Sequence, residues 1–115
     1  MDKLYDLEER TEKYAEAVIA VCKRLPKNVT NIELISQEVR AAGSVGANYI
    51  EANESLSKKD FANRIKICRK EAKESRYWLR LIVSSNLEFE NEAKVLMQES
   101  TELMNIFGAI LKKSL

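Results

Sequence analysis

Carboxylates, thiols and a run of basic side chains are the groups in this sequence that could do chemistry. Glu51, Glu71 and Glu74 could belong to a di-metal site inside a helical bundle. That architecture draws on Glu-x-x-His pairs, and the chain contains no histidine. The same absence removes the commonest general base. Cys22 and Cys68 lie on apolar helical stripes rather than in a C-x-x-C setting, so both are expected to be reduced core thiols. No glycine-rich phosphate loop or G-x-S-x-G turn occurs. The expectation is a non-enzymatic protein with no catalytic residue, metal or cofactor. The basic residues remain. At 100° per residue Lys59, Lys66, Arg69, Lys73, Arg76 and Arg80 share one sector. Residues 58–80 hold nine basic against three acidic side chains, about +6, whereas 28–57 carry −3 and 86–113 carry −2. One reading is a nucleic-acid contact through phosphates. The other is a solvated face, or one that meets an acidic face on a neighbour, since aromatic residues do not interleave with the stripe.

A second feature is packing rather than chemistry. Residues 41–52 read A-A-G-S-V-G-A-N-Y-I-E-A and hold two of the three glycines. A helix-interior glycine costs roughly 1 kcal/mol against alanine, and is tolerated where another backbone must come close. Gly43, Ser44, Gly46, Ala47, Asn48 and Glu51 are therefore expected to form a packing hub approached by helix three or a second subunit. Asn48 and Glu51 are expected to point partly inward, toward Lys70, Arg76, Tyr77 or Trp78.

The elements that position these residues are helices. With 45% hydrophobic and 32% charged residues, one proline and three glycines, the composition is that of an all-α protein, and 115 residues fit one domain. Leu4, Leu7, Thr11, Tyr14, Val18, Val21 and Leu25 mark the first apolar face, with Asp2 and Asp6 near its start, and Pro26 ends it. Among these, Glu8, Glu9, Glu12 and Glu16 form a mostly solvated acidic run interleaved with Arg10 and Lys13. Thr30 and Glu33 have capping-box spacing for a second helix whose apolar face begins at Ile32, and Ser57-x-x-Asp60 opens a third. A fourth carries Phe89, Ala93, Leu96, Ser100, Leu103, Phe107 and Ile110 at alternating spacings of four and three. Helices over about 3–25, 31–56, 58–84 and 88–113, joined by short turns, predict an antiparallel up-down-up-down four-helix bundle. Ile67, Trp78 and Leu81 on helix three, with Met97, Met104 and Leu111 on helix four, lie beside these core faces. They are expected to serve as oligomer contacts, because soluble monomers rarely expose large apolar patches. The N-terminus has no apolar signal-peptide core and no run approaches a membrane span. A soluble, cytoplasmic protein with no membrane partner is expected.

The motifs S-V-G-A-N-Y-I-E-A (44–52), S-K-K-D-F (57–61) and K-E-A-K-E-S-R-Y-W-L (70–79), with the Leu25-Pro26 break and Leu34-x-x-Gln37-x-x-Arg40-x-Ala42, resemble a family of bacterial four-helix-bundle proteins. Some of its members are encoded in intervening sequences of 23S ribosomal RNA genes. The resemblance spans nearly the whole chain. It implies an antiparallel four-helix bundle, and homo-oligomers that are pentameric in related proteins. Ser44, Asn48, Glu51, Lys70, Glu71, Glu74, Tyr77 and Trp78 match its motif positions and read as packing and inter-helix polar contacts. A related branch, the accessory proteins of diversity-generating retroelements, is similar in fold, pairs with a reverse transcriptase and binds nucleic acid.

Overall fold

Pro26, Asn28 and Ser57 decide where the first three helices stop and start. The structure is a computed structural model that describes residues 3–114, with side-chain environments from Leu7 onward. The expectations placed on the side chains of Asp2, Leu4 and Asp6 lie outside the described residues. Helix α1 spans Lys3–Arg24, and the chain leaves the helical region at Leu25, ahead of Pro26. Helix α2 spans Val29–Asn53. Its cap is Asn28, two residues before Thr30: the Asn28 backbone is extended and its side chain accepts from the Asn31 N–H at 2.8 Å. Helix α3, Lys58–Ser85, is capped by Ser57, whose hydroxyl accepts from the Asp60 N–H as its spacing predicts. A single 3-10 turn at Leu87–Phe89 leads into α4, Glu90–Ser114.

Each helix packs on its neighbours in sequence, α4 closes back onto α1, and the diagonal pairs meet through side chains across the core rather than backbone to backbone. Arg40 meets Glu74 while Asn48 meets Arg64, so α2 and α3 run antiparallel. Arg10 meets Glu99 while Arg24 meets Glu92, which sets α4 antiparallel to α1. The bundle measures 44 × 25 × 19 Å. Its core joins Leu7, Tyr14 and Val18 of α1 to Val45 and Tyr49 of α2, Ile65, Cys68 and Leu79 of α3, and Leu96, Leu103 and Phe107 of α4. Tyr49 and Phe107 meet ring to ring with centroids 6.1 Å apart.

One end is locked by amides. Asn31 and Asn86, both buried, each donate Nδ2–H to the other's Oδ1 at 2.9 Å. Asn31 also donates to the Pro26 carbonyl and Asn86 to the Ile82 carbonyl. The α1–α2 loop is thereby tied to the α3–α4 corner, above a small cluster of Leu25, Ile82 and Phe89.

Several expectations change. On α2 the inward positions are Asn31, Glu38, Ala41, Ala42, Val45, Tyr49 and Ala52. Ile32, one step out of that frame, is 61% exposed. The close approach at Gly46 is real but comes from α1: a Cβ there would stand 2.9 Å from Thr11 Oγ1. Gly43 faces outward, with nothing within 4 Å of an added Cβ. Leu111 is a core residue and half-buried Met97 and Met104 pack against the core, filling the α3–α4 side instead of lying free on the surface.

Candidate functional site

The centre of the bundle holds one hydroxyl or carboxyl from each helix. Tyr14 on α1 and Ser75 on α3 place their oxygens 2.6 Å apart, and the Ser75 hydroxyl donates to Glu38 Oε2 on α2 at 3.0 Å. With its proton given to Glu38, Ser75 can only accept from Tyr14, so the chain runs Tyr14 to Ser75 to Glu38. Ser100 on α4 also interacts with the phenol and donates to the Met97 carbonyl at 2.8 Å. Tyr14, Glu38, Ser75 and Ser100 are all buried.

Glu38 is the unusual member. Its side chain is fully buried, and Oε1 has no hydrogen-bond partner among the described residues. Burial pushes the carboxyl up to about 9 from an ordinary 4.5, against a smaller opposing effect from the Ser75 hydrogen bond. At neutral pH it is a neutral acid. An unpaired buried polar oxygen costs about 1–3 kcal/mol, far less than an unpaired buried anion. Burial, then proximity to Glu38, pushes the Cys22 thiol up to about 11, and burial pushes Cys68 up to about 12. Both remain protonated, so neither is an activated nucleophile. Tyr14 is raised for the same two reasons as Cys22.

The motif residues of α2 and α3 make a different, shallower set. Asn48 is half-buried, accepts from Arg64 at 3.0 Å and donates to the Ser44 carbonyl. Glu51 is exposed, so it does not pair inward with Asn48. Glu74 accepts from Arg40 at 2.7 Å and from the Trp78 indole at 3.2 Å. Glu71 Oε1 is buried without a hydrogen-bond partner among the described residues, and desolvation followed by nearby Glu74 raises that carboxyl. The result is a polar seam that holds α2 to α3. Trp78, Ile67 and Leu81 are half-buried along it, while Ala47 and Gly43 stand outside it, exposed. Among the described residues no three His, Cys, Asp or Glu side chains gather as a metal site would.

The charged groups sort onto opposite faces. On the α3–α4 side Lys59, Lys66, Arg69, Lys73 and Arg80 are exposed and Arg76 is half-buried. Arg76 donates to Thr101 at 3.0 Å, and the Arg80 guanidinium lies 5.8 Å from the Tyr77 ring centroid. None of the six forms an ion pair among the described residues. Across the bundle, α1 turns Glu8, Glu12 and Glu16 outward beside exposed Ile19. The adjoining outer face of α2 shows Ile32, Gly43, Ala47 and Ile50. On the α1–α4 side lies a groove of about 860 Å³ walled by Tyr14, Ala17, Val95 and Leu96. Arg10 crosses it with 2.7 Å bonds to both Glu99 oxygens and a 3.0 Å bond to Glu102.

Of these features, spacing alone places Tyr14 and Ser100 on core faces but passes over Glu38. The available signal was the register 31, 35, 38, 42, 45, 49, 52, which alternates four and three and puts Glu38 in the seam.

Fold and polar core together define an antiparallel four-helix bundle built around a buried neutral carboxyl. The comparisons agree and narrow the class. The model of the 23S rRNA-intervening sequence protein family matches residues 5–109, and the chain belongs to that family. It is similar to a solved protein of unknown function from the S23 ribosomal protein family of Bacteroides thetaiotaomicron VPI-5482. The two are 27% identical with a TM-score of 0.88, over 96% of this chain and 99% of that one. No curated protein matches the chain. Neither the family's description nor the relative's points to an enzymatic activity, and no described helix is long and apolar enough to cross a membrane.

Proposed function

We propose that the chain is a non-enzymatic scaffold or adaptor that works as a homo-oligomer. The observation behind this reading is the outer α1–α2 face, where Ile32 is 61% and Ile50 47% exposed, beside Ile19, Gly43 and Ala47. A helix that only lines its own core needs one apolar stripe. Helix α2 has a second, and its middle is kept low by glycine and alanine. An apolar strip rimmed by acidic side chains has the anatomy of a subunit contact, with an apolar centre and a polar rim. Light scattering on the purified protein at micromolar concentration tests this. A mass of at least twice 13.2 kDa is expected, falling to that of the monomer when Ile32 and Ile50 are both replaced by Glu. A wild-type protein that is monomeric throughout the micromolar range sinks the proposal.

A further inference from the structure

From the placement of opposite charges on opposite sides of the bundle we infer which surface covers the α1–α2 face: the α3–α4 face of a second copy, in a head-to-tail contact. The inference rests on the self-association proposed above and names its partner surface.

Charge and shape both favour this pairing. Glu8, Glu12 and Glu16 rise along α1 at intervals of four residues, one helical turn each, and none is salt-bridged among the described residues. Arg69, Lys73 and Arg80 present matching positive charge along α3, equally unpaired. Two copies meeting through the same face would set like against like, whether acidic on acidic or basic on basic, and such juxtapositions cost several kcal/mol. Only a heterologous contact joins the two faces. Shape agrees with charge. The basic face carries one large exposed ring, Tyr77 (45% exposed). The acidic face offers bare backbone at Gly43, open on its outer side, followed by Ala47 one turn on. A ring seats there, between Ile32 and Ile50, with lysines and arginines reaching the glutamates at the rim. In a closed or open chain of such contacts each copy uses both faces, so neither charge is left uncovered except at open ends.

A charge-exchange experiment tests this. One variant carries Glu8→Lys, Glu12→Lys and Glu16→Lys; the other carries Arg69→Glu, Lys73→Glu and Arg80→Glu. All six positions are exposed, and circular dichroism verifies that each variant keeps wild-type helicity. Each alone is expected to run as a monomer, because both of its faces then bear one sign. Mixed one to one they are expected to assemble again as alternating copies, closing only even-numbered rings, with assembly weakening between about 0.1 and 0.5 M salt as charge contacts do. Gly43→Gln, which meets open space in the single chain, is expected to keep the fold and lose assembly. The inference is overturned if either triple variant alone, or Gly43→Gln, keeps the wild-type mass, or if the mixture stays monomeric. It is equally overturned if the Arg69/Lys73/Arg80 variant assembles normally but loses salt-dependent binding to a labelled RNA or DNA duplex, which would give the basic face to nucleic acid. A monomeric wild type would instead remove the underlying proposal.

Discussion

Glu38 sets the acid–base behaviour of the fold. Its folded pKa of about 9 lies above the ordinary 4.5, so between those values the folded chain holds a proton that the unfolded chain has released. The associated stability is fully present below pH 4.5 and is lost as pH rises toward 9, at a slope of up to about 1.4 kcal/mol per pH unit. Wild-type protein should therefore melt at a higher temperature at pH 5 than at pH 8. Glu38→Gln keeps an oxygen for Ser75 and cannot ionise, so it should flatten that dependence and melt above wild type at pH 8. Melting curves at both pH values check this, and equal slopes for the two proteins would show that Glu38 is solvated. The residue was hard to see in the sequence because hydrophobicity is the usual guide to a helix's inner face. Here Asn31 and Glu38 take two of the seven inward positions of α2. Reading apolar residues alone shifts the frame toward Ile32. What makes Glu38 tolerable, hydroxyls contributed by other helices, is a tertiary fact with no local signature.

At the scale of the helices, two glycines four residues or fewer apart do opposite jobs. A side chain at Gly46 would drive into Thr11, whose oxygen and Cβ lie 2.9 and 3.3 Å from the added Cβ. Gly46→Leu should thus cost about 1–3 kcal/mol or more through overpacking of α1 on α2. Gly43→Ala meets nothing and gains helix propensity, about 1 kcal/mol. Chemical denaturation at concentrations too low for assembly should show the first destabilised and the second at least as stable as wild type. Equal effects would mean that α1 does not rest on Gly46. The amide lock gives a second element-level test. Asn86→Leu strands Asn31 without its reciprocal partner and should cost about 1–3 kcal/mol, partly recovered when Asn31 is made apolar too; an additive double variant would deny the coupling. The sequence was informative here in proportion to how local the cause is. Ser57 and Pro26 act within a few residues, and the helices they bound were legible. Asn28 took the cap from Thr30 because Asn31 is held by Asn86, some 55 residues away in the chain. Which helix would press on glycine depends on helix order in the bundle, so spacing could flag the site but not assign α1 to it.

For the whole molecule, the four seams are not equally closed. Hydrophobic side chains and the Arg40–Glu74–Trp78 seam hold α2 and α3 together, and the half-buried methionines fill the space between α3 and α4. The α1–α4 seam is different: its middle is the groove with Val95 70% exposed, spanned by Arg10 to Glu99 and Glu102 and, further along, by Arg24 to Glu92. Solvent-exposed ion pairs contribute little and weaken with salt, whereas burying one large apolar side chain is worth about 1.5–3 kcal/mol. Helix α1 should therefore lift from the other three before the bundle unfolds as a whole, a partial opening of the kind that native proteins sample. Such an opening would also hydrate Glu38, so high pH and high salt should promote it together. The two cysteines report on it, since Cys22 rides on α1 and Cys68 lies in α3, both buried. Under native conditions a thiol reagent should label Cys22 at least about tenfold faster than Cys68. The Cys22 rate should rise with salt and with Arg10→Ala, while the Cys68 rate follows global unfolding alone. If the two thiols react at one common rate, α1 is as firmly seated as the rest, and the groove is a surface feature of a uniformly cooperative bundle.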